Sequence, residues 1–198
     1  MNITKNSIWI GVFLLCLAQS VHAQSTVTIR DFLATPFDYG YEGWKDLGSI
    51  QSKTANGVEI KGSAKGGVGA FFNDPLDLLG SKQIEIKIKK GAGNTDDNLQ
   101  LKLISADGKS SSWKISFADI SDSKFTTLTY DLGTVRGVKD AVDLETIRQL
   151  QIQGTFNPTN QVDFEIASIT ATGTAPPAPA APTPASAPAP ASPSPANK

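Results

Sequence analysis

The sequence predicts an all-β protein, an antiparallel β-sandwich in one domain. Three observations carry this expectation. Apolar and polar residues alternate in run after run through the middle of the chain. Clusters of glycine, asparagine and aspartate separate those runs. The runs are short and closely spaced, as in sandwiches and barrels.

The first strand is expected over 26–33, from Thr26 to Leu33, with further strands over 57–61 and 68–72 in a less regular region. The clearest strand lies over 82–90, where Ile84, Ile86 and Ile88 alternate with Glu85, Lys87 and Lys89. A period of two gives one buried and one wet face. Leu99, Leu101 and Leu103 repeat the pattern, then Trp113, Ile115 and Phe117, then Leu128, Tyr130 and Leu132. Asp107-Gly108 between two of these runs is a hairpin signal. A short helix is expected over 143–149, where Leu144 and Ile147 share a face and Asp143 caps. Leu150 and Ile152 follow, alternating with Gln151 and Gln153. Val162, Phe164 and Ile166 close the series, with Asp163 and Glu165 facing outward.

The two ends read differently. Lys5 precedes an apolar run from Ile8 to Ala18, and Val21-His22-Ala23 supplies small residues for cleavage. That order is a secretory signal over 1–23, too short for a spanning helix of about 20 residues. Leu15 before Cys16 is not the small residue that lipid attachment requires. The expectation is an exported protein, periplasmic or extracellular, with no membrane span after cleavage. Residues 174–198 hold nine of the twelve prolines, amid Ala, Ser and Thr. Such a stretch has no core to bury and is expected to be a disordered, polyproline-rich tail. The folded domain is then 24–173.

Composition removes whole classes of chemistry. The only Cys and His are Cys16 and His22, both in the signal. A mature domain without them has no disulfide, no Cys/His metal site, and no His-dependent triad or Cys nucleophile. With Lys5 removed, 17 basic residues face 19 acidic ones, a net charge of −2, and no basic footprint for nucleic acid forms. The glycine-rich stretch 62–69 lacks the Gly-Lys-Ser/Thr ending of a phosphate loop. Asn94-Thr95-Asp96-Asp97-Asn98 is rich in oxygen, but the glycine and glutamate of an EF-hand are missing.

Several segments together resemble a known family. They are Thr28-Ile29-Arg30-Asp31-Phe32 at the start, Trp44, the strand from Lys82, the hairpin over 98–117, the strand over 125–132 and the closing pair over 151–169. In order and spacing these resemble galactose-binding-like jelly rolls, among them family 11 carbohydrate-binding modules and complex I intermediate-associated protein 30 domains. The resemblance implies two antiparallel sheets and a concave face that binds glycans in some relatives. It also implies a structural calcium held by an acid on the first strand, which Asp31 matches as a metal ligand. Ala167 stands where that family places the partner acid. With that partner acid missing, no cofactor is expected.

Sugars stack on aromatic rings, so aromatics outside the strand periodicity are the candidate ligand-binding residues: Tyr39, Tyr41, Trp44 and Phe72. Trp44 also reads as a core anchor, and the adjacent Phe71 and Phe72 must point to opposite faces of a strand. The expected function is an exported, non-catalytic carbohydrate-binding module whose partner is a polysaccharide or glycan. The alternatives are a structural or assembly protein that binds another protein, and a small glycoside hydrolase or lyase working with two carboxylates.

Overall fold

The structure, a computed structural model, describes residues 24–174. The signal over 1–23 and nearly all of the proline-rich tail lie outside the described residues.

Alternating side chains produce eleven strands in two antiparallel sheets. They are β1 (Gln24–Asp31), β2 (Tyr39–Glu42), β3 (Gln51–Lys53), β4 (Val58–Ser63), β5 (Gly66–Leu76), β6 (Ser81–Lys90), β7 (Asn98–Ser105), β8 (Ser110–Ser116), β9 (Thr126–Asp131), β10 (Ile147–Gln153) and β11 (Gln161–Thr174). A single-turn helix, α1 (Leu47–Ile50), precedes β3.

One sheet runs β3-β4-β11-β6-β9, and β1 also pairs with β11. The long closing strand makes this possible. Residues Gln161 to Ile166 of β11 pair with β4, and Ser168 to Thr174 pair with β1. Ala167, between the two stretches, sits at a bulge against β6. The second sheet runs β2-β5-β10-β7-β8.

The core lies between the sheets. Ile84, Ile86 and Ile88 from one sheet and Leu99, Leu101, Leu103, Leu150 and Ile152 from the other are all fully buried. Burying a large aliphatic side chain is worth about 1.5–3 kcal/mol, so these period-two stripes set which face of each strand turns inward. Among the described residues, no helix is long and apolar enough to cross a membrane.

Two expectations need correction. The helix over 143–149 does not form. Asp143 instead closes a turn, with Oδ1 accepting from Glu145 N at 3.0 Å and Oδ2 from the Thr146 hydroxyl at 2.8 Å. Ile147 then enters β10, opposite Leu76 and Ser105. Ladder pairing on both sides outweighs the weak helical spacing of Leu144 and Ile147. Asp163 and Glu165 do point away from the core, but they are buried. Glu165 lies under Thr54 and Lys89, its oxygens 2.5 Å from each. Asp163 is covered by the β6–β7 loop, where Gly93 N donates to Oδ2 at 2.9 Å.

Candidate functional site

The outer face of the five-stranded sheet collects most of the chemistry in this fold. Strand register lays its outward residues in rows across the strands. One row runs Tyr41, Gly67, Gln153, Gln100 and Lys114. The next runs Tyr39, Gly69, Gln151, Lys102 and Ser112. A third begins at Phe71 and passes Gln149 to Ile104 and Ser110.

The glycines are there because the tyrosines lie down on them. A Cβ at Gly67 would fall 2.2 Å from the Tyr41 hydroxyl oxygen, and one at Gly69 would fall 2.3 Å from Tyr39 Cζ. Neither position tolerates a side chain without moving a ring, so both rings rest against the sheet.

Glutamines hold the rings in place. Gln151 Nε2 donates to the Tyr39 hydroxyl at 3.0 Å, and that hydroxyl donates to Gln149 Oε1 at 3.2 Å. The Tyr41 hydroxyl donates to Gln153 Oε1 at 2.9 Å, and Gln153 Nε2 donates to Gln100 Oε1 at 2.7 Å. Burial raises the Tyr41 pKa to about 12, with the neighbouring Tyr39 adding to the effect. Tyr39 is also raised, first by burial; the Gln151 hydrogen bond opposes the rise and Asp38 adds to it. Both phenols are neutral donors at ordinary pH.

Phe71 completes an aromatic cluster. Its ring centroid lies 4.6 Å from that of Tyr39, and Tyr39 lies 6.3 Å from Tyr41. Phe71 is 52% exposed. Asp38 anchors this corner, accepting from Phe71 N at 2.8 Å and from Arg30 Nη2 at 2.7 Å.

The four aromatic candidates therefore separate. Tyr39 and Tyr41 come together on this face. Phe72 does not join them. Val68 and Ala70 set the inward phase of β5, so Phe72 packs against the core and Phe71 takes the outward place. Trp44 is fully buried, its Nε1 donating to the Ser63 carbonyl at 2.6 Å. It lies against Gly62 and Gly66, where added Cβ atoms would meet its ring at 3.2 and 2.8 Å. No face of that ring is available for stacking.

Asp31 lies on the opposite sheet, in a shallow groove of about 340 Å³ with Thr28, Lys87, Phe125 and Ser168. It is the one carboxylate lining that groove, and its Oδ1 accepts from Leu33 N at 3.0 Å. Among the described residues, no group of three or more Asp, Glu, His or Cys is placed to hold a metal.

The glutamines, Phe71 and the two glycines were not singled out from the sequence. A signal was present, because Gln149, Gln151 and Gln153 recur at a spacing of two, as do Gly67 and Gly69.

No protein-family model matches the chain, and no curated protein sequence matches it. Solved structures do. An agarase matches at a TM-score of 0.56 and 14% identity, over 75% of this chain and 24% of the agarase, so the chain spans about a quarter of that enzyme. The xylan-binding module CBM15 matches at 0.51 and 18% identity, over 76% of this chain and 97% of the module. A family 30 carbohydrate-binding module matches at 0.50 and 13% identity, over 79% of this chain and 93% of the module. Identities this low speak to the fold alone, and that fold is a jelly-roll β-sandwich of two antiparallel sheets, shared with these two modules.

Proposed function

We propose that the chain is an exported, non-catalytic module that binds a polysaccharide on the outer face of its five-stranded sheet. The observation that carries this reading is the aromatic cluster of Tyr39, Tyr41 and Phe71 beside a row of glutamines. Aromatic rings offer a flat apolar surface to the C–H face of a sugar, and amides both donate to and accept from its hydroxyls. The rings are held in place before a ligand arrives, which lowers the entropy lost on binding.

The rows across this face contain no aspartate or glutamate. Their chemistry is stacking and hydrogen bonding, which favours holding a glycan over cleaving it. The match to a xylan-binding module over nearly its whole length supports the same reading.

Affinity electrophoresis of the chain against a panel of soluble polysaccharides tests the proposal. The expected result is retardation by at least one glycan, lost in Tyr39→Ala and Phe71→Ala while the circular dichroism spectrum stays unchanged. Retardation by no glycan would overturn it.

A further inference from the structure

We infer that the glycan taken by this face is acidic, a polysaccharide carrying carboxylate or sulfate groups. The inference rests on the glycan-binding reading above and adds the class of ligand to it.

The two main rows share a polarity. Each begins with a tyrosine on β2 and reaches a lysine at the far side of the sheet, Lys102 on β7 or Lys114 on β8. Strands are about 4.8 Å apart, so each lysine stands about 14–19 Å from its tyrosine. A chain lying across the strands, stacked on Tyr39 or Tyr41 at one end, passes over the glutamines and meets an ammonium group at the other.

Of the thirteen lysines among the described residues, three are paired to a carboxylate, and Lys102 and Lys114 are among the ten that are not. Lys61 pairs with Glu59 at 2.8 Å, Lys89 with Glu165 at 2.5 Å and Lys109 with Asp107 at 3.0 Å. Among the described residues, neither Lys102 nor Lys114 has a carboxylate within ion-pair distance. At the aromatic end Asp38 is taken up by Arg30 and Phe71 N, and the exposed Glu42 ends β2 after Tyr41. Lys102 and Lys114 are thus the charged residues within the rows, on a chain whose formal net charge is −1, with Asp96 and Asp97 lining the groove beside Lys114.

That contrast selects a ligand. A neutral glycan covering Lys102 and Lys114 would strip water from two ammonium groups and return only hydroxyl contacts. A carboxylate or sulfate at the same place returns charge-assisted hydrogen bonds. The negative charge of the rest of the chain opposes indiscriminate attachment to polyanions.

The test uses polysaccharide pairs that share a backbone and differ in charge: glucuronoxylan against neutral arabinoxylan, and carrageenan against the same carrageenan after desulfation. Affinity is measured by isothermal titration at low and high salt, for the wild-type chain and for Lys102→Gln, Lys114→Gln and Lys82→Gln. Lys82 lies in the other sheet, at the start of β6. The expected result is tighter binding of an acidic member, weakened by salt and reduced about fivefold by each of Lys102→Gln and Lys114→Gln. Lys82→Gln should leave it unchanged. Equal binding of neutral and acidic members, or binding insensitive to salt, would overturn the acidic assignment and leave the glycan-binding reading standing. Equal weakening by Lys82→Gln would overturn it as non-specific attraction. Binding of neither member of any pair would overturn both.

Discussion

The ring of Tyr39 occupies the space that a side chain at Gly69 would need. A Cβ at position 69 would fall 2.3 Å from Tyr39 Cζ, and the equivalent clash at Gly67 involves the Tyr41 hydroxyl. The proposed binding face thus depends on two residues with no side chain. Gly69→Ala is expected to lift Tyr39 away from Gln149 and Gln151 and to weaken glycan binding about tenfold, as loss of an aromatic anchor does. Titration of the variant against the glycan found for wild type checks this. Wild-type affinity would show that the ring position is irrelevant.

Phe71 and Phe72 should separate binding from stability. Phe71 is exposed beside Tyr39, whereas Phe72 packs on the core. Phe71→Ala is expected to weaken binding and leave the urea midpoint nearly unchanged. Phe72→Ala is expected to lower the midpoint, through a loss of about 2–3 kcal/mol of unfolding free energy for a partly buried ring, and to leave the affinity of the folded protein intact. The reverse pattern would mean that the phase of β5 is wrong.

Trp44 is expected to act on stability alone. Its ring is fully buried, and its Nε1 reaches the Ser63 carbonyl. Trp44→Ala should destabilise the fold by about 3–5 kcal/mol. Trp44→Phe keeps much of the volume but leaves that carbonyl without its donor, at a cost of about 1–3 kcal/mol. Equilibrium unfolding in urea measures both. Selective loss of glycan affinity in Trp44→Phe, with unfolding unchanged, would place this residue in the site after all.

These cases also show what could be read before the structure. Strands with a full apolar stripe were legible, as with Ile84, Ile86 and Ile88, because burial imposes a period of two on side chains of any such strand. The strand Tyr39–Glu42 was not. Its inward position, Gly40, carries no side chain because the Trp44 carbonyl oxygen would stand 1.8 Å from a Cβ there. Half of the alternation is therefore silent. The same holds for Gly67 and Gly69 on the outward side of β5. Phe71 and Phe72 could be told apart only by carrying the phase forward from Val68 and Ala70. The burial of Asp163 and Glu165 was beyond any local pattern, because it depends on Thr54, Lys89 and the β6–β7 loop, which approach across strands distant in sequence. The rows of the candidate site are likewise a product of register.

Glu165 should make the fold sensitive to acid. Its burial pushes the carboxyl pKa up, but hydrogen bonds from Lys89 and Thr54, with the charge of Lys89, outweigh burial and hold it below its ordinary 4.5. A group whose folded pKa is depressed contributes stability above its unfolded pKa and loses it as pH falls through the folded value. Stability is therefore expected to decline as pH drops below 4.5. Glu165→Gln removes that contribution, so its urea midpoint should be lower than wild type at neutral pH and change less on acidification. An unchanged slope between pH 5 and pH 3, values that bracket the ordinary carboxylate range by roughly a unit, would rule this out.

At the alkaline end the tyrosines set the limit. Tyr41 ionises at about 12, because burial and then Tyr39 disfavour the phenolate. A raised folded pKa contributes stability that is complete below the unfolded value and is lost as pH rises through the folded one. The Tyr41 hydroxyl must keep its proton to donate to Gln153. Tyrosine ionisation followed by ultraviolet absorbance should therefore show a late component near 12 that is reduced in Tyr41→Phe. Because Tyr130 is also raised to about 12, by burial and then by Asp119, the late component should shrink in that variant rather than vanish unless Tyr130→Phe is combined with it. Glycan affinity should stay flat across neutral and mildly alkaline pH. A fall in affinity well below pH 10, the ordinary phenol value, would show that the tyrosine rings are more exposed to water than their packing on Gly67 and Gly69 allows.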